Sequence, residues 1–168
     1  MKRFWWLLTM IATLVIIDQV TKAMIDTDFL LGESKVVIKD FFNITYVRNT
    51  GAFWGLGQGL SETYRQIFML ALPVLVVLFV CYLFLKSING TFIQPFAYAL
   101  VIAGAIGNLI DRFFLGYVVD FFDFHLGFIR WATFNVADAC ISVAMGLLIY
   151  DEIFNRKENS KKETSLQS

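Results

Sequence analysis

The run IFMLALPVLVVLFVCYLFL, residues 67–85, holds 19 residues without a charge, and FIQPFAYALVIAGAIGNLI, residues 92–110, holds 19 more with only Gln94 and Asn108 strongly polar. At roughly 1.5 Å per residue each spans about 30 Å as a helix, the thickness of a bilayer's hydrocarbon core. Outward from this pair, residues 4–25 are apolar to Ile17 and then broken by Asp18, Gln19, Thr21 and Lys22. Residues 134–150 form a fourth apolar stretch that contains Asn135 and Asp138. The sequence therefore predicts an all-α integral membrane protein with four transmembrane helices, at about 4–25, 67–85, 92–110 and 134–150. Residues 1–157 read as a single polytopic membrane domain, and the Lys, Glu, Ser and Gln of 158–168 as a disordered cytoplasmic tail too polar to pack.

Composition agrees. Of 168 residues 58% are hydrophobic and only 17% charged, against roughly 25% charged in soluble domains, and the mean hydropathy is +0.65. The formal net charge is zero and no basic stripe is present, which excludes nucleic acid as the partner, since phosphate binding draws on clustered Lys and Arg. Lys2-Arg3 ahead of an apolar run also resembles the start of a cleaved signal peptide, but no small-x-small site follows it.

Four spans put both termini on one side. That side holds Lys2, Arg3, Lys86, Arg156, Lys157, Lys161 and Lys162 in about 27 residues, whereas Lys35, Lys39, Arg48, Arg65, Arg112 and Arg130 are spread over more than 60 on the other. The positive-inside rule then predicts cytoplasmic termini, with residues 26–66 and 111–133 outside. In the first outer loop Val36, Ile38, Phe42, Ile44 and Tyr46 recur with period two, which predicts a small β-rich extracytoplasmic cradle at the membrane surface. A flexible loop with Gly51, Gly55, Gly57 and Gly59 follows, and Thr63 with Gln66 forms a candidate capping box for the second span, in which Pro73 predicts a kink. Cys81 lies roughly 21 Å below the outer surface and Cys140 roughly 9 Å, too far apart for a disulfide. The single His125 reads as an interfacial loop residue.

The intramembrane polar groups share one depth. Asp18 and Lys22 stand roughly 21 and 27 Å above the inner surface, Asn108 and Asp111 close the third span, and Asn135 and Asp138 open the fourth. Ionisable residues inside a membrane read as functional by default, and one plane of them implies one site. Each pair also has a purely structural reading. Asp18 and Lys22, spaced i,i+4, can neutralise each other, Asp111-Arg112 can anchor a helix end, and Asn108 with Asp111, like Asn135 with Asp138, share a helix face. Ala103, Gly104, Ala105 and Gly107 are small enough for two helices to approach closely.

Asp120 stands apart, in Val118-Val119-Asp120-Phe121-Phe122, with no cation nearer in sequence than Arg112 and a second carboxylate at Asp123. Apolar surroundings disfavour a carboxylate's charge and raise its pKa, whereas Asp138 at a helix N-terminus ionises more readily. Two carboxylates pushed apart in this way suit acid-base hydrolysis, one holding the proton and one taking a proton from water.

Five motifs in order then resemble signal peptidase II, the bacterial prolipoprotein signal peptidase family of intramembrane aspartic proteases. They are Asp18-Gln19-Val20-Thr21-Lys22, Arg48-Asn49-Thr50-Gly51-Ala52, Gly107-Asn108-Leu109-Ile110-Asp111-Arg112, Val118-Val119-Asp120-Phe121 and Phe134-Asn135-Val136-Ala137-Asp138. The resemblance implies a catalytic dyad of Asp120 and Asp138. It places Asn49, Gly51, Asn108, Arg112 and Asn135 around the substrate, with Asp18, Lys22 and Asp111 supporting the site. Phe53 and Ala139 depart from the family's usual Ala and Ser. The implied substrate is a prolipoprotein whose diacylglyceryl-modified Cys follows the scissile bond, cut by a monomer in the bacterial cytoplasmic membrane, at its outer face and in contact with membrane lipid. No metal or organic cofactor is implied. A proton- or cation-coupled transporter and a non-catalytic membrane scaffold are the alternatives. A transporter places its carboxylates near the midplane between repeats, and a scaffold needs no carboxylate in an apolar loop.

Overall fold

The computed structural model describes residues 1–50 and 62–166, with side chains described for 1–50 and 69–154. Helix α1 (Lys2–Asp28) leads into strands β1 (Ser34–Ile38) and β2 (Phe42–Asn49), then helices α2 (Glu62–Ser87) and α3 (Ile93–Phe114). Strands β3 (Val118–Leu126) and β4 (Ile129–Arg130) and helix α4 (Val136–Leu166) complete the chain. Gly51, Phe53, Gly55, Gly57 and Gly59 lie outside the described residues, as do the side chains of Thr63 and Gln66.

Among the described residues, three helices are long and apolar enough to cross a membrane: Lys2–Asp28, Met69–Ser87 and Ile93–Phe114. The fourth, α4, carries Asp138, Asp151 and Glu152, which dilute its apolar stretch. Helix α4 runs to Leu166.

Helix α3 is the hub. Its buried side carries Ala97, Ala99, Leu100, Ile102, Ala103, Gly104, Gly107, Asn108 and Asp111, so small residues let its neighbours close in. A Cβ added at Gly104 would lie 2.3 Å from the Ala137 carbonyl oxygen, and one at Gly107 would lie 2.5 Å from Asp18 Oδ2. Away from the sheet, Leu7 and Ile11 of α1 pack with Val80 and Phe84 of α2 and Ala99, Ile102 and Ala103 of α3. Leu75, Leu78 and Phe79 on the outside of α2 are each more than half exposed, the kind of surface that hydrocarbon covers.

The four strands form one antiparallel array in the order β1-β2-β3-β4. Only half of it comes from the segment between α1 and α2, so the expected cradle is corrected: residues 118–130 supply β3 and β4, and Asp120 lies on a strand and not in a loop. The first four residues of β3 are all buried, so both its faces are covered there and the period-two signal that marks a one-sided strand is absent. Gly116, at φ +78° directly after α3, takes the left-handed conformation that ends a helix sharply. The chain thereby reverses into β3 and brings Asp120 back beside the end of α3. A bulge in β2 between Ile44 and Val47 shifts the register so that Val47 opposes Asp120 and Asn49 opposes Val118.

Candidate active site

Asp120 on β3 and Asp138 in the first turn of α4 are held by three asparagines. Asp120, 1% exposed, accepts hydrogen bonds from Asn135 Nδ2 at 2.7 Å and from Asn49 Nδ2 at 3.0 Å. Asp138 Oδ1 accepts from Asn108 Nδ2 at 2.7 Å. Asn135 Oδ1 accepts from the Asp138 backbone N–H at 2.9 Å while Asp138 Oδ2 faces the Asn135 N–H at 3.4 Å, the reciprocal arrangement that starts a helix. Asn135 Nδ2 also reaches Asn108 Oδ1 at 3.1 Å. A continuous line of groups, Asp138–Asn108–Asn135–Asp120, thus connects the two carboxylates. Asn108 and Asn135 each share a helix face with an Asp; in the folded chain Asn108 reaches across to Asp138 of α4, while Asn135 caps the Asp138 backbone N–H on its own helix and also reaches across to Asp120 on β3.

Burial pushes the Asp120 carboxyl up to about 6. The Asn49 hydrogen bond opposes that rise, the charge of Asp138 adds to it, and the Asn135 bond and the Lys22 charge pull it back.

Beneath this pair, Lys22 Nζ lies 2.9 Å from Asp18 Oδ2, 3.1 Å from Asp111 Oδ2 and 2.9 Å from Asn108 Oδ1. Asp18 Oδ1 accepts from the Ala137 backbone N–H at 2.9 Å, and Asp111 Oδ2 from the Val119 N–H at 3.0 Å. Arg112 Nη1 approaches the Asn108 carbonyl at 3.4 Å, and its positive charge acts on Asp138, Asp120 and Asp111. Of the site residues expected from sequence, Asp18, Lys22, Asn49, Asn108, Asp111, Arg112, Asn135, Asp120 and Asp138 gather here, and Gly51 lies outside the described residues.

Two contributions have no clear sequence signal. Gln19 Nε2 lies 2.9 Å from Asp111 Oδ1, 3.1 Å from Gly107 O and 3.2 Å from Asp18 Oδ2, its two N–H groups shared among the three acceptors. At the end of β2, the buried Tyr46 hydroxyl bonds Asp26 of α1 and accepts from Arg48 Nε at 2.7 Å. Arg48 also stacks on Tyr117 at 4.6 Å. This clasp ties α1 to the strand that carries Asn49. Gln19 and Arg48 both lie within motifs that carry the family resemblance, but nothing in the sequence shows which groups they join.

A cleft of about 560 Å³ opens between α2, α3 and α4. Its walls are apolar, Leu72, Val76, Val80, Ile141 and Met145 among them, and Asn108, Arg112 and Asp138 supply its polar groups. Among the described residues, no group of three or more His, Cys, Asp or Glu is placed to hold a metal ion.

A membrane-type helical bundle with two aspartates bridged by carboxamides beside an apolar cleft is the class that this fold and site define. Residues 10–154 match the family model for signal peptidase (SPase) II. The chain belongs to the signal peptidase II family. It is 43% identical over 150 residues to a lipoprotein signal peptidase of Desulforapulum autotrophicum, covering 89% of this chain and 93% of the relative. A lipoprotein signal peptidase of Syntrophus aciditrophicus is 38% identical, covering 87% and 91%. A solved structure described as a bacterial membrane enzyme, obtained by the in meso method at 1.9 Å, superposes with a TM-score of 0.77 at 36% identity, covering 88% of this chain and 92% of that one.

Proposed function

We propose that this chain is an aspartic endopeptidase that removes the signal peptide from diacylglyceryl-modified bacterial prolipoproteins, cutting just before the lipidated Cys. The observation that carries the reading is the Asp120–Asn135–Asn108–Asp138 line beside the apolar cleft. A signal peptide's apolar helix suits a cleft with apolar walls, and its scissile bond then reaches the cleft's polar groups. Asp120, pushed up to about 6, holds the proton. Asp138 takes a proton from a water molecule as that water attacks the scissile carbonyl, and Asp120 gives its proton to the departing amine. The Asn49 and Asn135 carboxamides already hold Asp120, which leaves the Arg112 guanidinium to stabilise the oxyanion.

The same reading takes α4 as a fourth span, both termini as cytoplasmic, the site at the outer face of the cytoplasmic membrane and the working unit as a monomer. The Lys and Arg asymmetry supports the orientation. A cysteine introduced at Ser34 in a Cys-free background should react with an impermeant reagent in intact cells. Protection at Ser34 together with labelling at Ser160 overturns the topology. For the activity, purified protein should release the signal peptide from a lipidated precursor in detergent, read by mass spectrometry, and Asp138→Asn should not. No cleavage by the parent protein, or undiminished cleavage by Asp138→Asn, overturns the assignment.

A further inference from the structure

The residue before each proposed catalytic aspartate is gripped by a different buried carboxylate. Ala137, which precedes Asp138, gives its backbone N–H to Asp18, and Val119, which precedes Asp120, gives its N–H to Asp111. Asp18 and Asp111 are each 3% exposed or less. They come from different helices and carry like charge, so without a common partner they would repel each other. Two groups of α1 join them. One is the Lys22 ammonium, 2.9 Å from Asp18 and 3.1 Å from Asp111. The other is the Gln19 carboxamide, 3.2 Å from Asp18 Oδ2 and 2.9 Å from Asp111 Oδ1.

Building on the protease reading, we infer that Gln19 is a positioning residue that yokes Asp18 to Asp111 and so sets the spacing between Asp120 and Asp138. Lys22 supplies charge to both carboxylates and spends a further bond on Asn108, whereas Gln19 supplies direction. Its amide holds Asp111 Oδ1, which turns Asp111 Oδ2 toward the Val119 N–H. The Gly107 carbonyl, 3.1 Å from the same nitrogen, shares one of its two N–H groups and seats the amide on α3, beside the glycine whose missing side chain makes room for Asp18. Gln19 bonds Asp18, Asp111 and Gly107 and acts on Asp120 and Asp138 through them. A shift of about 1 Å in a reacting group placed this way costs on the order of a hundredfold in rate, so the loss of one of the two yoking groups should be visible in turnover.

The test pairs Gln19→Met with Gln94→Met. Both remove one carboxamide–carboxylate hydrogen bond between helices, since Gln94 Nε2 donates to Asp151 Oδ2 at 2.8 Å at the opposite end of α3 and α4. Gln19→Met should lower kcat about tenfold with KM within about twofold, and backbone amide exchange at Val119 and Ala137 should quicken. Gln94→Met should lower Tm, with kcat and both amides unchanged. If Gln19→Met does not fold, Gln19→Asn replaces it with the same expectation, because it keeps the carboxamide one methylene too short to hold both carboxylates. Parent-like kcat in Gln19→Met, unchanged exchange at the two amides, or an equal loss of kcat in Gln94→Met overturns the yoke. The exchange measurement needs no substrate, so the yoke stands or falls on it even where the parent protein fails to cleave a lipidated precursor, which is the result that sinks the protease reading instead.

Discussion

Three residues apart on one strand, Asp120 and Asp123 are equally hidden, 1% and 0% exposed, yet their surroundings push them in opposite directions. Asp123 lies on the face of β3 that carries the Thr45 hydroxyl, a hydrogen bond of 2.7 Å, and the Arg130 guanidinium, whose Nε is 2.8 Å away. These hold its carboxyl below the usual carboxylate range, the Arg130 bond most strongly. Among the described residues the hydrogen bonds to Asp120 come from the neutral amides of Asn49 and Asn135, and burial pushes it up to about 6. Burial alone therefore does not decide the proton. A charged partner placed to answer the carboxylate turns a hidden Asp into a structural anion, and neutral donors leave it able to hold and release a proton near neutrality.

The largest expected effect separates the two in turnover. Asp120→Asn should lower cleavage of a lipidated precursor by about 10²–10⁴-fold, the usual worth of a positioned acid or base, while Asp123→Asn stays within a few-fold of the parent. Equal losses in single-turnover assays would mean that the polar network on the Asp123 face reaches the chemistry.

Stability should then separate them the other way. Asp123→Asn removes the charge that Arg130 and Thr45 bind and should cost about 1–3 kcal/mol at pH 7, read as a lower Tm in detergent. The pH dependences are opposite in sign. Asp123, depressed in the folded chain, contributes stability that is present above its unfolded value near 4 and lost as pH falls. Asp120, raised in the folded chain, binds a proton that the unfolded chain has already released, so its contribution declines as pH rises from about 4 to about 6. A Tm profile in which Asp123→Asn flattens the acid side and keeps the decline between those values fits the comparison; loss of both features would tie the two groups together.

The smallest effect sharpens the account of Asp120. The Asn49 bond lowers its pKa, so Asn49→Ala should move the alkaline limb of the rate profile to higher pH while lowering kcat a few-fold. A limb that moved to lower pH would show that Asn49 stabilises the protonated carboxyl instead.

Much of this was legible before any coordinates. Uncharged runs of helical length identify spans because a bilayer demands internally satisfied backbone, and carboxylates inside such runs stand out because they are costly there. Counting helical rise put Asp18, Asn108 and Asp138 at one depth. The second half of the sheet stayed hidden because β3, buried on both faces at its start, shows no alternation. Gln19, a neutral residue in a polar turn, carries no signal of the carboxylates it joins. Spacing in sequence reports only the neighbours on one's own helix, so it shows the Asn135–Asp138 pair but not the bonds from Asn108 to Asp138 and from Asn135 to Asp120.

The amino-acid sequence by itself determined the membrane-type helices, the plane of polar groups and the candidate aspartates, since hydropathy and helical rise are properties of each segment alone. Which donor meets which carboxylate was decided only in the tertiary structure. That assignment depends on how closely α3 and α4 approach at Gly104 and Gly107, and on the register in which β2 meets β3. Hydrogen bonds act over about 3 Å, and only packing brings residues some ninety positions apart, such as Gln19 and Asp111, within that reach.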